Sequence, residues 1–385
     1  MADDTTTIPL IRTKLQRPPI VGEHVHRSQL LERLDQRLQR PLTLVTAPAG
    51  YGKSTLVSCW LETCDLPAAW LSLDETDNDL HLFLSYLLVA VQTISPAAGK
   101  DIQSILNTSQ LPPLSILSGI LINELDQIKQ AFILTLDDYQ VINNKTIHNL
   151  LIEILKHPPH AMHLVLASRI DPPLALASLR AKGKMTEIRV QDLRFSLEET
   201  AEYLQKMLGQ TIEDNIVALL GEKTEGWVTG LRLAVLSLRH REDLNRVLTD
   251  LPKDNRYIMD YMVAEILSQQ PPTMQEYLLT TSILNRFCAP LCDAVCISDT
   301  GSGACKISGQ EFLQLLKKAN LFVIRLDDEG RWFRYHHLFQ ILLNRRLKQD
   351  FKKEDIQVLH TNASTWFEEN GHFEEAIQHA LTGGE

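Results

Sequence analysis

The chain has 385 residues, a formal net charge of −10, 44% hydrophobic and 22% charged residues. That length exceeds one core and predicts roughly two to four domains of globular composition. The acidic balance argues against a chain that coats nucleic acid or an anionic membrane over its whole surface. The six cysteines do not make a disulfide scaffold, no apolar run approaches a membrane span, and residues 1–8, with Asp3 and Asp4, lack a basic leader. A cytoplasmic setting without a membrane partner is expected.

Residues 1–20 are punctuated by Pro9, Pro18 and Pro19 and predict an irregular arm. Ser28, Leu30, Leu31 and Leu34 fit an amphipathic helix capped by Ser28. An apolar run at 41–46 then meets Ala47-Pro-Ala-Gly-Tyr-Gly-Lys-Ser-Thr55, followed by a helical run to Cys64. This is strand, glycine loop and helix with Lys-Ser at the helix start, the phosphate-binding P-loop with Ala47 at its first position. Ala49, Gly50, Tyr51, Gly52, Lys53, Ser54 and Thr55 would form the phosphate cradle. Gly50 and Gly52 allow successive N–H groups to face one anion, and the helix start adds its positive dipole end. Lys53 can reach the β-phosphate of ADP and the β- and γ-phosphates of ATP, and the Ser54 hydroxyl can ligate Mg²⁺.

Further strands are expected at 69–73, 131–136, 163–168 and 184–190, with helices carrying Leu82, Phe83, Tyr86, Leu87 and Val91, and over 114–128. Residues 96–113 look like a connection with two proline-containing breaks, at Pro96 and at Pro112-Pro113. The third strand ends in Asp137-Asp138, where the metal side of a nucleotide site is needed. Asp137 would hold Mg²⁺ or its water, and Asp138 would orient or deprotonate the attacking water. Arg169 follows the fourth strand, where a cation can reach a γ-phosphate; a surface arginine is the alternative. Five mostly unalternating strands separated by helices predict an α/β P-loop NTPase domain with a five-stranded, mainly parallel sheet.

After Val190 the pattern turns helical, opening on a capping box at Ser196–Glu199. Helices are expected to about Leu251 and over 254–320, with a Gly/Ser/Asp break at 298–303. A strand–turn–strand over 321–336 then suggests a winged helix. A helix pair over 359–381, turning at Asn370-Gly371, looks like one tetratricopeptide-like repeat. A single unit cannot bury its own apolar face, so the native protein is expected to continue past this chain. Cys288, Cys292 and Cys296 share one helical face and are expected to be core rather than metal ligands.

The combination resembles the amino-terminal part of the MalT-like, large ATP-binding LuxR-type transcriptional regulators, a branch of the STAND class of P-loop ATPases. The stretches that carry the resemblance are Thr13–Pro19, Thr46–Thr55, Leu71–Asp74, Leu136–Tyr139, Leu193–Ser196, Thr224–Leu231, Asp260–Tyr261, Asn320–Phe322 and Phe333–Phe339. They span nearly the whole chain. The resemblance implies an arm (1–20), a nucleotide-binding domain (21–195), a helical domain (196–252), a winged-helix domain (253–348) and the entrance to a helical repeat (349–385). It implies that Lys53 and Ser54 serve the P-loop, that Asp137-Asp138 are the acidic strand end, and that Arg169 senses the γ-phosphate. Val25 and Arg27 would meet the adenine side. His336, with His337 as its neighbour and rival, would contact the β-phosphate of ADP.

The function implied is a nucleotide switch: closed with ADP, competent for self-association with ATP, and a slow ATPase, since Asp138 replaces a longer Glu. An inducer or regulatory protein would act on the repeats, and DNA would be bound only through a carboxyl-terminal helix-turn-helix beyond this chain. The acidic wing tip, Asp327, Asp328 and Glu329, argues against specific DNA binding here, with Arg325, Arg331 and Arg334 as counter-evidence. A STAND scaffold outside transcription, and a turnover ATPase or kinase, are the alternatives.

Overall fold

The computed structural model describes residues 10–384 except 21, 23, 37, 109, 239–255, 297–306 and 320. The helical expectation for 239–251, the break at 298–303, Asn320 and residues 1–8 lie outside the described residues. The chain divides into two compact units, one of 1–47 with 51–193, the other of 48–50 with 194–385.

The first unit is built on five parallel strands: β1 (Leu42–Thr46), β2 (Ala68–Ser72), β3 (Phe132–Asp137), β4 (Met162–Ser168) and β5 (Met185–Ile188). Their order across the sheet is β2-β3-β4-β1-β5. Every residue of β1, β3 and β4 is buried, which is why these strands are apolar without alternation. Leu44, Leu71, Leu134 and Leu166 join Phe83, Leu87, Leu121 and Leu151 from three helices in one core. Thr46 pairs with Ser168 and Ser72 with Asp137, so these strand ends share one edge of the sheet. That edge is where open α/β sheets place their ligands.

Four local expectations change. Ser28 is the first residue of the helix Ser28–Asp35, not its cap; Arg27 occupies that position, without a side-chain cap bond. The Arg27 guanidinium instead donates to the carbonyls of Asp192 and Leu193, each at 2.9 Å. A helix, Lys100–Leu106, lies inside the expected broken connection, because Ile102 and Leu106 are buried in the core and Glu124 accepts the Asp101 N–H at 2.7 Å. Val190 leaves the fifth strand and opens a short helical turn, Val190–Leu193. The described part of the arm is a docked strap. It makes a 3-10 turn, Arg12–Leu15, and its Lys14 is buried against Asp77 at 2.5 Å and lies over the Tyr86 ring.

In the second unit the capping box forms as expected: Ser196 Oγ accepts the Glu199 N–H and the Glu199 carboxylate accepts the Ser196 N–H. Helices Leu197–Leu208, Asp214–Thr224 and Val228–Leu238 follow, then Arg256–Met262, Pro272–Thr281, Ala289–Cys296 and Gly309–Ala319. β6 (Val323–Arg325) and β7 (Phe333–Tyr335) form the antiparallel wing. Cys288, Cys292 and Cys296 are buried, with Cys296 Sγ 3.1 Å from Thr280 Oγ1, so the stripe is core. Helices His337–Asp350, Lys353–Glu369 and Phe373–Gly383 close the chain. On the last of these Phe373, Ile377 and Leu381 stand 64%, 60% and 72% exposed, an apolar face at i, i+4 and i+8. No described helix is long and apolar enough to cross a membrane.

Candidate functional site

The glycine loop leaves β1 and ends on Gly52, which has φ of 76° and caps the helix Lys53–Thr63. That left-handed backbone suits glycine, and Gly50 has the same sign at 77°. Within the second unit the tip of the loop is braced: Trp227 Nε1 donates to the Ala49 carbonyl at 3.0 Å and the Thr229 N–H to the Gly50 carbonyl at 3.1 Å. A Cβ at residue 50 would come within 2.6 Å of Thr229 Oγ1. Trp227 and Thr229 escape a motif-based reading of the loop, because they lie far along the chain from it, Trp227 178 residues beyond Ala49.

The first turn of the helix meets the end of β3. Ser54 Oγ donates to Asp137 Oδ1 at 2.9 Å, and the Asp138 N–H donates to the same oxygen at 3.0 Å. Asp138 has φ of 56°, a left-handed conformation that Asp tolerates better than most residues. Gln140 Nε2 donates to Asp138 Oδ1 at 2.9 Å, and its Oε1 accepts the Arg169 N–H at 2.8 Å. The structure thus brings Lys53, Ser54, Asp137, Asp138 and Arg169 to one edge of the sheet. Val25 is buried, and Arg27 is committed to the carbonyls of 192 and 193.

Electrostatics mark the same place. The Lys53 ammonium is pushed down to about 8. Burial is the main cause; Asp138 opposes it, Arg169 adds to it and Asp137 opposes it. The Asp137 carboxyl is pushed up to about 6, chiefly by burial and then by the Asp138 charge, against the bonds from Ser54 and Asp138. A buried lysine and a buried carboxylate, both held away from their ordinary values, are typical of a site that receives charge from a ligand. The Ser54 hydroxyl and Asp137 carboxylate are hard oxygen donors at hydrogen-bond distance, a set that fits Mg²⁺.

The Asp137 shift has a consequence for stability. An aspartate with a raised folded pKa stabilises the fold only while protonated. Its contribution is lost as pH rises from about 4 to about 6, and the charged form is a constant penalty above that. Asp137→Asn keeps an acceptor for Ser54 and removes the charge. The variant without ligand should be ~1–3 kcal/mol more stable than wild type at pH 8, with the gain shrinking towards pH 5. Urea melts at both pH values check this; a loss of stability at pH 8, or a gain independent of pH, contradicts it.

In the second unit His336 is 1% exposed and its Nε2 donates to the Thr224 carbonyl at 2.9 Å. Its Nδ1 is buried without a hydrogen-bond partner. Burial pushes its imidazole down to about 4, with Glu225 opposing, so the ring is neutral. Trp227, Phe322 and Phe339 pack in the same cluster, with Phe322 at 5.6 Å from the His336 ring. The wing arginines are engaged. Arg334 forms a two-point pair with Glu225 at 2.8 and 3.2 Å, Arg331 pairs with Glu329, and Arg325 donates to the Asp327 carbonyl at 2.6 Å. They do not form a free basic strip.

The parallel sheet, the glycine loop and the hydroxyl–carboxylate pair at its edge define a P-loop NTPase domain, carried in one chain with a winged helix. Residues 263–355 match the family model described as the MalT winged helix domain. The chain is 34% identical over 98% of its length to the HTH-type transcriptional regulator MalT of Yersinia enterocolitica, and 34% identical over 98% to that of Klebsiella pneumoniae. It spans 41% of the length of each. A solved Walker-type ATPase of Pyrococcus abyssi shares the fold, with a TM-score of 0.57 and 16% identity over 85% of this chain and 98% of that one. Over nearly its whole length the chain is thus similar to part of a MalT-type regulator, and residues 263–355 carry the match to the MalT winged helix.

Proposed function

We propose that this chain is the ATP/ADP switch of a signal-responsive transcriptional activator. The observation that carries the reading is the meeting of Lys53, Ser54, Asp137, Asp138 and Arg169 beside a glycine loop. Polyphosphate lies in the loop of Ala49 to Thr55, with Lys53 on the β- and γ-phosphates. Mg²⁺ would be held by Ser54 and Asp137 and would neutralise phosphate charge. Asp138 positions the attacking water, and Arg169 answers the γ-phosphate. Val25 and Arg27 stand on the adenine side. The division into 21–195, 196–252, 253–348 and 349–385 belongs to the same proposal.

The resting state is closed with ADP, ATP favours self-association, and slow hydrolysis resets the switch. An inducer or regulatory protein acts through a repeat domain, DNA is reached through a helix-turn-helix elsewhere in the protein, and the setting is the cytoplasm. The alternative, a STAND ATPase outside transcription, shares all the residues above.

His336 is the residue assigned to the lock, and its buried Nδ1 has no hydrogen-bond partner in this structure. As a neutral acceptor it cannot bind phosphate, so contact with ADP requires that nitrogen to carry a proton. A ligand shifts an equilibrium only through its differential affinity for the two states. His336→Ala should therefore weaken ADP about 10-fold or more while ATP changes little, and should raise the self-associated fraction without added ATP. Nucleotide titration and sedimentation of both chains test it. Equal losses for ADP and ATP, or a loss confined to His337→Ala, would reject the lock.

A further inference from the structure

We propose that Gln140 is a positioning residue for hydrolysis, clamping the Asp138 carboxylate to the backbone that carries Arg169. The inference rests on the reading of this edge as an ATPase site. Gln140 sits in the 3-10 turn Tyr139–Val141 that follows β3. The turn is itself anchored, since Tyr139 is buried and its hydroxyl is 2.8 Å from His148 Nδ1. Gln140 reaches both neighbours at once, Asp138 Oδ1 at 2.9 Å and the Arg169 N–H at 2.8 Å. Its amide orientation is unambiguous, because a backbone N–H only donates and a carboxylate only accepts. The segment after β4 is stiffened further by Ser168 Oγ, which donates to the Ile170 carbonyl at 2.6 Å.

The consequence is geometric. β3 and β4 are adjacent strands, and Asp138 and Arg169 are the first residues beyond their ends. With Oδ1 committed to Gln140, the carboxylate plane is set and Oδ2 is the oxygen presented to water. In hydrolysis the water oxygen forms a bond to the γ-phosphorus, the bond from γ-phosphorus to the β-bridging oxygen breaks, and the water proton passes to the Asp138 carboxylate, leaving ADP and inorganic phosphate. One amide thus registers the water-orienting group against the residue that answers the γ-phosphate. Such registration affects the chemical step far more than it affects binding of the nucleotide.

Two substitutions separate this role from a structural one. Gln140→Met keeps the length and removes both hydrogen bonds. Gln140→Glu keeps an acceptor for the Arg169 N–H and sets a second carboxylate against Asp138. Single-turnover hydrolysis of Mg-ATP by the whole chain should fall about 10- to 100-fold in both, with ATP and ADP dissociation constants within about threefold of wild type. Retained ADP binding and an unchanged melting temperature report that each variant folds. A wild-type rate in Gln140→Met, a rate restored by Gln140→Glu, or a parallel loss of binding and rate overturns the clamp. Wild-type hydrolysis that needs Asp138 but not Gln140 rejects the clamp alone; no hydrolysis by the wild-type chain removes the site reading with it.

Discussion

Lys53→Ala will abolish the stabilisation of this chain by Mg-ATP. Lys53 is 7% exposed and lies at the start of the helix that follows Gly52. Its ammonium is held down to about 8 by burial, against the pull of Asp138 and Asp137. A triphosphate arriving in the loop would supply the negative charge that the site withholds from Lys53, so the ligand gains most of its charge pairing from this one group. Nucleotide at ~1,000 times its dissociation constant should stabilise the wild-type fold by ~4 kcal/mol, and the variant by close to nothing. Without ligand the variant should be no less stable than wild type at neutral pH, because a desolvated charge is removed. Thermal melts with and without saturating Mg-ATP decide it. An equal shift in both chains would mean that the phosphates bind elsewhere.

Asp138→Asn should reduce hydrolysis about 100-fold or more while leaving ATP affinity within a few-fold, the effect expected when a proton acceptor is lost from the chemical step. The asparagine keeps a carbonyl oxygen for Gln140 and tolerates the left-handed backbone at 56°, so the turn survives. Asp137→Asn differs in kind, since it removes a charge next to the Ser54 hydroxyl and should weaken Mg²⁺-dependent binding. Comparing single-turnover rates with equilibrium binding for the two variants separates the roles. Hydrolysis by Asp138→Asn at the wild-type rate would remove Asp138 from the chemistry.

The parts of the site that are local in sequence were legible there. The strand–loop–helix around Gly50 and Gly52 follows from residue type and spacing, and so does an apolar strand ending in Asp137-Asp138. The capping box at Ser196 and Glu199 was equally plain, because both bonds close within one helical turn. The cap assigned to Ser28 was not. A serine before an apolar periodic run is a sound local signal, but the chain enters this helix one residue earlier, where the Arg27 side chain is drawn to carbonyls 165 and 166 residues away. The helix Lys100–Leu106 was hidden for a similar reason, since seven residues between prolines gain their stability from burying Ile102 and Leu106.

What the sequence by itself determined is the kind of chemistry and the class of fold. A P-loop, an acidic strand end and buried strands without alternation specify a phosphate site on a parallel sheet, because each depends on residues within a few positions of one another. What only the tertiary structure decided is which groups share charge and hydrogen bonds. The strand order sets Asp138 and Arg169 side by side, lets Gln140 join them, and puts Ser54 against Asp137 across 83 residues. Packing within the second unit turned the wing arginines from a candidate basic strip into paired charges, through Glu225 for Arg334 and Glu329 for Arg331. Burial and charge pairing are properties of neighbours in space, and the spacing of residues along a chain does not carry them.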